Sequence, residues 1–527
     1  MLKAQGRVGY VKASIGVLVL CVTGCVVTPK PVDKEAINKR VTSDLEQMFK
    51  DQDPVRGEIS LYEAMARALK YNLAHRLKML DQVVKNRELD VSRYDLLPQL
   101  AASAGYKHRD NVNASSSFSV SRDTESLETS TSQDQELWNA QARIVWNVLD
   151  FGVSYLRQKQ QANKVLIAEE QRRKVVQNIV QEVRQAYWRV VAAEQVETKL
   201  KRVMRDIEYA LNTAKRMQRG ALQKPLLTLR YRRDLLKTLR NLMKKKEQLS
   251  LAKADLARLM NIPPGSRFQV SQNLLATNTA AALSASQLQK LQLAALSYRP
   301  ELIEMDYKSR IVKKEGKIAK LDLLPGLSFN LGSYYDDNSF LLNQSWAEAG
   351  IQVSYDLMKL ARISDVNLLH ETRLKLVNMQ RQALTSAVLS QVELSLRSYL
   401  AAKQDLEYST WATDIEKQRY QQYQAASTSG VGERLELIQS QGDLLLAKLD
   451  QYYQYAEVQS EYGMVLNSLG IDPLPKTMIS HDLTTLSKTL QHYFEKDLRQ
   501  HVGQIVNSGP VLASNTVELP SQNTAPQ

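Results

Sequence analysis

Cysteine is almost missing from this 527-residue sequence: Cys21 and Cys25 are the only two. Beyond them the chain has neither an internal disulfide nor a thiolate metal site. Histidine is scarce too. His75, His108, His370, His481, His492 and His501 are scattered, and no two stand four apart, the spacing that puts two ligands on one helical face. There is no His-Glu-x-x-His, no Walker A loop and no Gly-x-Ser-x-Gly elbow. Enzymatic chemistry therefore has no support, and neither a metal nor a cofactor is implied. Proline is absent from residues 226–262 and 360–471, which leaves very long stretches without a helix breaker.

At the start, Lys3, Arg7 and Lys12 precede an apolar run from Ala13 to Val22, the plan of an export signal over residues 1–24. That run is short for a membrane span, which needs ~20 apolar residues, so the segment is either removed or retained as an anchor. Val22-Thr23-Gly24-Cys25 resembles the bacterial lipobox, which implies a covalent lipid on Cys25. Val26 stands where an aspartate would signal retention at the inner membrane, which favours the outer one. Residues 25–57, with early prolines and many charges, read as a tether.

What the chain has in abundance is helical pattern, written twice. Val183 to Gln195 reads VRQAYWRVVAAEQ and Val392 to Gln404 reads VELSLRSYLAAKQ, 209 residues apart. Each lies in a long run that meets a short break, Gly220 to Pro225 or Ser427 to Gly432, and is followed by a second long run. The pattern predicts two helical hairpins, over 151–262 and 360–471. From Phe151 to Arg219 a continuous helix would extend ~100 Å, too long for a globular core. Val176, Ile179, Val180, Val183, Ala186, Tyr187, Val190 and Ala193 recur at three and four, as in helices packed side by side.

The duplication reaches further back. Ser60 with Glu63 makes an N-terminal signature for a helix to about Asn72, and a second helix runs from Leu73 to about Leu96. Asp95-Leu96-Leu97-Pro98 returns as Asp322-Leu323-Leu324-Pro325, at an offset of 227 that Tyr71 and Tyr298 share. After each Leu-Leu-Pro the period shifts toward two: Leu100, Ala102, Ala104 and Tyr106 in one copy, Leu327, Phe329 and Leu331 in the other. A polar loop follows, Asp110 to Gln135 or Asp336 to Gln344, and then a returning strand. Trp138, Ala140, Ala142, Ile144, Trp146 and Val148 alternate in the first return; Ala349, Ile351, Val353, Tyr355 and Leu357 alternate in the second. Strands of about ten residues suit an outer membrane, and Trp138, Trp146 and Trp346 read as interfacial anchors. Four strands cannot close a barrel alone. Either copies pool their strands, or the sheet lies outside the membrane.

These segments divide the chain into a first repeat over 58–271, with its strand pair in 98–150, and a second over 287–475, with its strand pair in 325–358. Residues 272–286, rich in Ala, Thr, Asn and Ser, read as a linker. In the extension 476–527 a short helix is expected from Leu483 to Val502, with disorder from Asn507 onward.

The formal charge is +14, unevenly held. Residues 151–262 carry 26 Lys and Arg against 10 Asp and Glu, and residues 360–471 carry 10 against 13. In an exported protein nucleic acid is not the expected partner; a solvated face, or pairing with the acidic hairpin, is.

With the lipobox, the repeat, Leu-Leu-Pro before each strand pair, and Trp146-Asn147-Val148-Leu149-Asp150-Phe151-Gly152 at the strand-to-helix join, the chain resembles the TolC family of outer membrane factors over about residues 58–475. The resemblance implies a mainly α fold with a membrane β-barrel. In a homotrimer, four strands per chain would pool into a twelve-stranded barrel continued by a long α-helical barrel. It implies a non-enzymatic exit channel, lipid-anchored in the outer membrane of a Gram-negative bacterium. Its partners would be an inner-membrane pump and a periplasmic adaptor (membrane fusion protein), in drug efflux or type I protein secretion. By the same resemblance Arg219, Gly220, Ala221 and Leu222, with Gly430, Val431 and Gly432, would be adaptor-docking tips. Glu436 would stand at the periplasmic gate, with Gln439 one turn on. Pro225-Leu226 departs from the family, several members of which carry a polar latch there, so Leu226 marks a gate of different chemistry. A reading of another class is a lipid-anchored periplasmic coiled-coil scaffold without a pore, for which membrane-length strands would have no use.

Overall fold

The computed structural model describes residues 29–50, 52–125, 128–219, 225–271, 283–426, 431–474 and 482–508. The chain divides into two units, residues 1–53 and 54–527. In the first, α1 (Lys34–Met48) begins at Asp33, whose carboxylate accepts the Ala36 N–H at 2.6 Å, and none of its residues is buried. The expected tether thus contains a helix: past Pro31 an N-cap and a run of helix formers prevail over the prolines.

In the second unit, β1 (Glu58–Ile59) leads into α2 (Leu61–Tyr71) and α3 (Leu73–Val91). The Ser60 hydroxyl accepts the Glu63 N–H at 3.1 Å, as the sequence predicts. Then come β2 (Gln99–His108), β3 (Glu136–Asn147), α4 (Val148–Glu194), α5 (Glu197–Arg219), α6 (Pro225–Leu259) and β4 (Gln269–Val270). The second repeat runs α7 (Leu288–Tyr298), α8 (Pro300–Leu321), β5 (Gly326–Asp336), β6 (Ser345–Ser354), α9 (Ile363–Ala426) and α10 (Val431–Leu469). Helices α2 and α7 have 11 residues each and keep the offset of 227.

Three expectations need correction. The run from Phe151 is not one helix: it breaks at Gln195–Val196, where the Val196 N–H reaches back to Ala193 O at 3.4 Å and the Leu200 N–H restarts the ladder on Val196 O. The loop after β2 is not wholly irregular, since Ala114–Ser115 pairs with Ser130–Thr131 and Phe118–Ser119 with Thr124–Glu125. The C-terminal helix is longer than expected. Helix α11 (Leu483–His492), a π-helical turn and α12 (Leu498–Ser508) carry it past Val502.

The four long strands form one antiparallel sheet in the order β6-β5-β3-β2, so the two repeats meet at β3–β5 and each gives one open edge. An apolar row crosses all four strands, Leu100 opposite Ile144, Ile144 opposite Leu331, and Leu331 opposite Ala349. Tyr106 packs on Trp138, and Trp146 on Phe329, on the same face. The other face is more polar, with Gln141 donating to Ser103 Oγ at 2.8 Å. Trp346 lies on that second face, stacked on Tyr334 with centroids 5.4 Å apart, so it does not join Trp138 and Trp146.

The main core gathers α2, α7, the middle of α4, α9 and α10, and the C-terminal helices, including Val183, Val190, Val392, Tyr399, Val465 and Leu490. The eight residues of α4 singled out by spacing are all buried. Closer to the tips a second core joins Leu200 and Ile207 of α5, Leu235 and Leu242 of α6, and Leu435 and Leu445 of α10. The break after α4 falls between these cores. At the far end of the hairpins the repeat is visible in single bonds. Asn72, between α2 and α3, donates to Leu259 O at 3.1 Å; Arg299, between α7 and α8, donates to Ser468 O at 3.2 Å, its counterpart at an offset of 209. Each return helix then ends in a left-handed residue, Asn261 at φ +56° and Gly470 at φ +70°.

Candidate functional site

The breaks that close the two hairpins are where family resemblance puts function. Gly220, Ala221, Leu222 and Gly430 lie outside the described residues, as does Cys25. What flanks them is described. Helix α5 ends at Arg219 and α6 starts at Pro225, proline being a residue type suited to a first helical position. Leu226 follows with its side chain 66% exposed, a shape with no polar group to latch anything. Val431 and Gly432 open α10.

Leu435 anchors the first turns of α10, buried in the second core with Tyr231 of α6. Next to it Glu436, and one turn on Gln439, stay half-buried. About two turns beyond Glu436, α10 packs closely against the first hairpin. A Cβ on Gly442 would come within 2.8 Å of Thr238 Cγ2 and 3.1 Å of Ile207 Cδ1, so a larger residue there would have to push those side chains aside. Adjacent Asp443 accepts a hydrogen bond from the Thr238 hydroxyl at 3.0 Å. Burial pushes the Asp443 carboxyl up from the ordinary range, against the Thr238 hydrogen bond, which lowers it, while nearby Glu416 and Asp234 add to the rise and Arg419 opposes it. Composition gave no sign of Thr238 or Asp443; a glycine inside a helical pattern was the available signal.

The cations of the first repeat find part of their balance in the second. Arg173 pairs with Asp472 at 3.0 Å, Lys174 with Glu301 at 2.9 Å, Arg189 with Glu457 at 3.6 Å and Lys245 with Asp450 at 3.8 Å. In all four the base belongs to the first repeat and the acid to the second. Burial opposes ionisation of Glu301, but hydrogen bonds from Arg299 and Lys174 outweigh it and hold its carboxyl down at about 2.

Among the described residues no cluster of three or more His, Cys, Asp or Glu has the geometry to hold a metal, and no helix is long and apolar enough to cross a membrane. The sheet carries an exposed apolar face, with Leu100, Ile144, Leu331 and Ile351 all open.

A family model described as outer membrane efflux protein matches residues 79–261. Among solved structures, the Campylobacter jejuni CmeC outer membrane channel superposes with a TM-score of 0.62 at 12% identity, covering 85% of this chain and 95% of that one. The Neisseria gonorrhoeae MtrE outer membrane channel, in its open state, gives 0.56 at 15% identity, with 80% and 94% covered. Vibrio cholerae VceC gives 0.57 at 12% identity, with 78% and 96% covered. At these identities the likeness is one of fold. No curated protein sequence matches.

Proposed function

We propose that the chain is a member of the outer membrane efflux protein family, whose model matches residues 79–261, and that it is the outer-membrane exit channel of a tripartite export system. The observation that carries this reading is the sheet. It has four strands with an apolar row across them and an open edge on each side, fused to helices as long as the 64-residue α9. Open strand edges are intolerable in lipid, and four strands are too few to close, so copies must complete one wall. A homotrimer does this with twelve strands, and its helices continue the bore through the periplasm.

In the same proposal a lipid on Cys25 fixes the chain to the outer membrane. The turns at Arg219 to Leu222 and Gly430 to Gly432 receive the periplasmic adaptor, behind which stands an inner-membrane pump. Glu436 lines the entrance, where copies of it form a ring of carboxylates that draws cations and resists full closure by mutual repulsion. Gln439 adds no second charge, and exposed Leu226 replaces a polar latch with an apolar contact.

Conductance of the purified, detergent-extracted protein in a planar lipid bilayer tests the channel reading. Discrete channels from a trimer are expected; a monomer that never conducts would leave the lipid-anchored scaffold as the better account. Drug sensitivity of a deletion strain, set beside its protein secretion, separates efflux from type I secretion.

A further inference from the structure

One tryptophan of the sheet stands on the wrong side for lipid. An interfacial tryptophan anchors on the apolar face of a membrane sheet, the face of Trp138 and Trp146. Trp346 lies on the more polar face, which a closed barrel turns toward its bore. Its setting is ordered. Trp346 is the direct cross-strand partner of Tyr334, and the two rings are nearly parallel, with 11° between their planes and 5.4 Å between their centroids.

A glycine makes room for the pair. A Cβ on Gly332 would come within 2.7 Å of Tyr334 Cε2 and 2.9 Å of the Tyr334 hydroxyl, so the ring lies back along its own strand over the space a side chain would fill. Trp346 stays 42% exposed beside it. The two rings therefore form one aromatic plate open to the polar side.

Acids frame the plate. Asp336 follows Tyr334 by two on β5, and Glu348 follows Trp346 by two on β6; strand residues two apart share a face, so each ring has a carboxylate residue beside it. Because the strands are antiparallel, the two acids stand at opposite ends of the plate. Asp336 accepts the Asn338 N–H at 3.0 Å. Glu348 is exposed and has no ion-pair partner among the described residues. Arg143 of β3, Gly332 and Glu348 form one row across three strands, and the glycine keeps this base a strand away from the acid, ~10 Å by strand spacing. A flat aromatic surface with carboxylates at its rim suits a ligand that is itself flat and positively charged, which gains ring stacking, cation–π attraction and charge pairing together.

We propose that Tyr334 and Trp346, with Glu348 and Asp336 at their rims, are a binding site in the bore for planar aromatic cations. This rests on the channel reading above, which puts the polar face inside a closed wall. The plate lies near the loop end of the strands, and in a trimer it occurs three times at one level. Cargo of this class pauses there, whereas cations without a ring pass.

The test is block of the current carried by the full-length protein in a planar bilayer, with ethidium as the planar aromatic cation and tetraethylammonium as a cation without a ring. Ethidium is expected to block at concentrations where tetraethylammonium does nothing. Trp346→Leu should raise the half-blocking concentration of ethidium about tenfold, as for a lost cation–π contact, and Glu348→Gln should raise it several-fold. Trp346→Tyr keeps a ring and should keep most of the block. Trp146→Leu, on the opposite face, should leave the block native. Unblocked conductance at the native value shows that a variant still builds the wall; if Trp346→Leu does not, Glu348→Gln decides alone. Equal block by the two cations, native block in Glu348→Gln, or an equal loss in Trp146→Leu and Trp346→Leu overturns the proposal. A native protein that forms no channel sinks the channel reading instead, and does so before any blocker is added.

Discussion

The two hairpins have the same length, residues 151–262 and 360–471, yet they were tuned in opposite directions. The first holds 26 bases to 10 acids, and the second 10 to 13. The first descends through two helices broken at Gln195–Val196, while the second descends through one unbroken helix, α9. The second difference is marked at one pair of positions. At the break, Glu194 accepts the Val270 N–H at 3.0 Å and lies 2.6 Å from the Lys253 ammonium, tying α4 inward to β4 and α6. Its counterpart in the second copy, at an offset of 209, is Lys403, which lies out over the ring of Tyr399 on its own helix. The acid buries and the base does not, so one copy has a joint and the other a rod.

Making the first copy like the second should do the most damage. Glu194→Lys leaves the Val270 N–H without its acceptor and sets two ammonium groups together in a buried place; we expect a loss of roughly 3–5 kcal/mol in stability. Hydrogen exchange at Val270 would show it, with fast exchange the expected outcome and unchanged protection an argument against the joint. The reverse change, Lys403→Glu, lies on an exposed face and should stay within about 0.5 kcal/mol.

The helix ends give the next contrast. Gly470→Ala puts a methyl within 2.6 Å of Arg299 Cα at a positive φ, and should cost about 2–4 kcal/mol by thermal unfolding in detergent. Asn261→Ala, at the equivalent turn, should cost only about 1–2 kcal/mol for the left-handed backbone. Equal losses would mean the two turns are not equivalent after all.

Acid should act on the second copy through Glu301. Glu301 is matched in the first copy by Ala74, at an offset of 227. Because the Glu301 carboxyl is held at about 2, its contribution is fully present above the unfolded value of about 4.3, and is lost as pH falls through 2. Glu301→Gln should flatten the melting temperature across that window; an unaltered slope would assign the acid sensitivity elsewhere. Asp450→Asn should also have a small effect. Its pair with Lys245 is 3.8 Å long and half-exposed at the acid, so a loss under about 1 kcal/mol that vanishes in high salt is expected.

Periodicity made the scaffold readable before any coordinates. The eight spaced residues of α4, the Ser60 cap and the paired offsets of 227 and 209 each rest on local chemistry repeated many times, and repetition is what a sequence displays well. What stayed hidden depends on single encounters between distant segments. The parallel pairing of β1 with β4 involves two residues a side, too few to set a period. The break at Gln195 depends on Val270, and the Thr238–Asp443 bond on residues 205 apart. Trp346 alternates like its neighbours, but on the face opposite to Trp138 and Trp146, because the second pair's apolar positions fall on odd numbers and the first pair's on even. At the candidate gate the helices were foreseen, whereas the fastening between them was not.

The strand order β6-β5-β3-β2 has a consequence for assembly. One junction between repeats, β3 to β5, is tied by the polypeptide, while its equivalent, β2 to β6, can form only by meeting another molecule. Those two edges are unlike, so in the proposed trimer they would meet head-to-tail and propagate around a ring instead of ending in a pair. In such a wall half of the seams are held at the high effective concentration of a single chain, and only the other half respond to dilution. In the proposed wall, duplication would thereby halve the number of joints that must find each other.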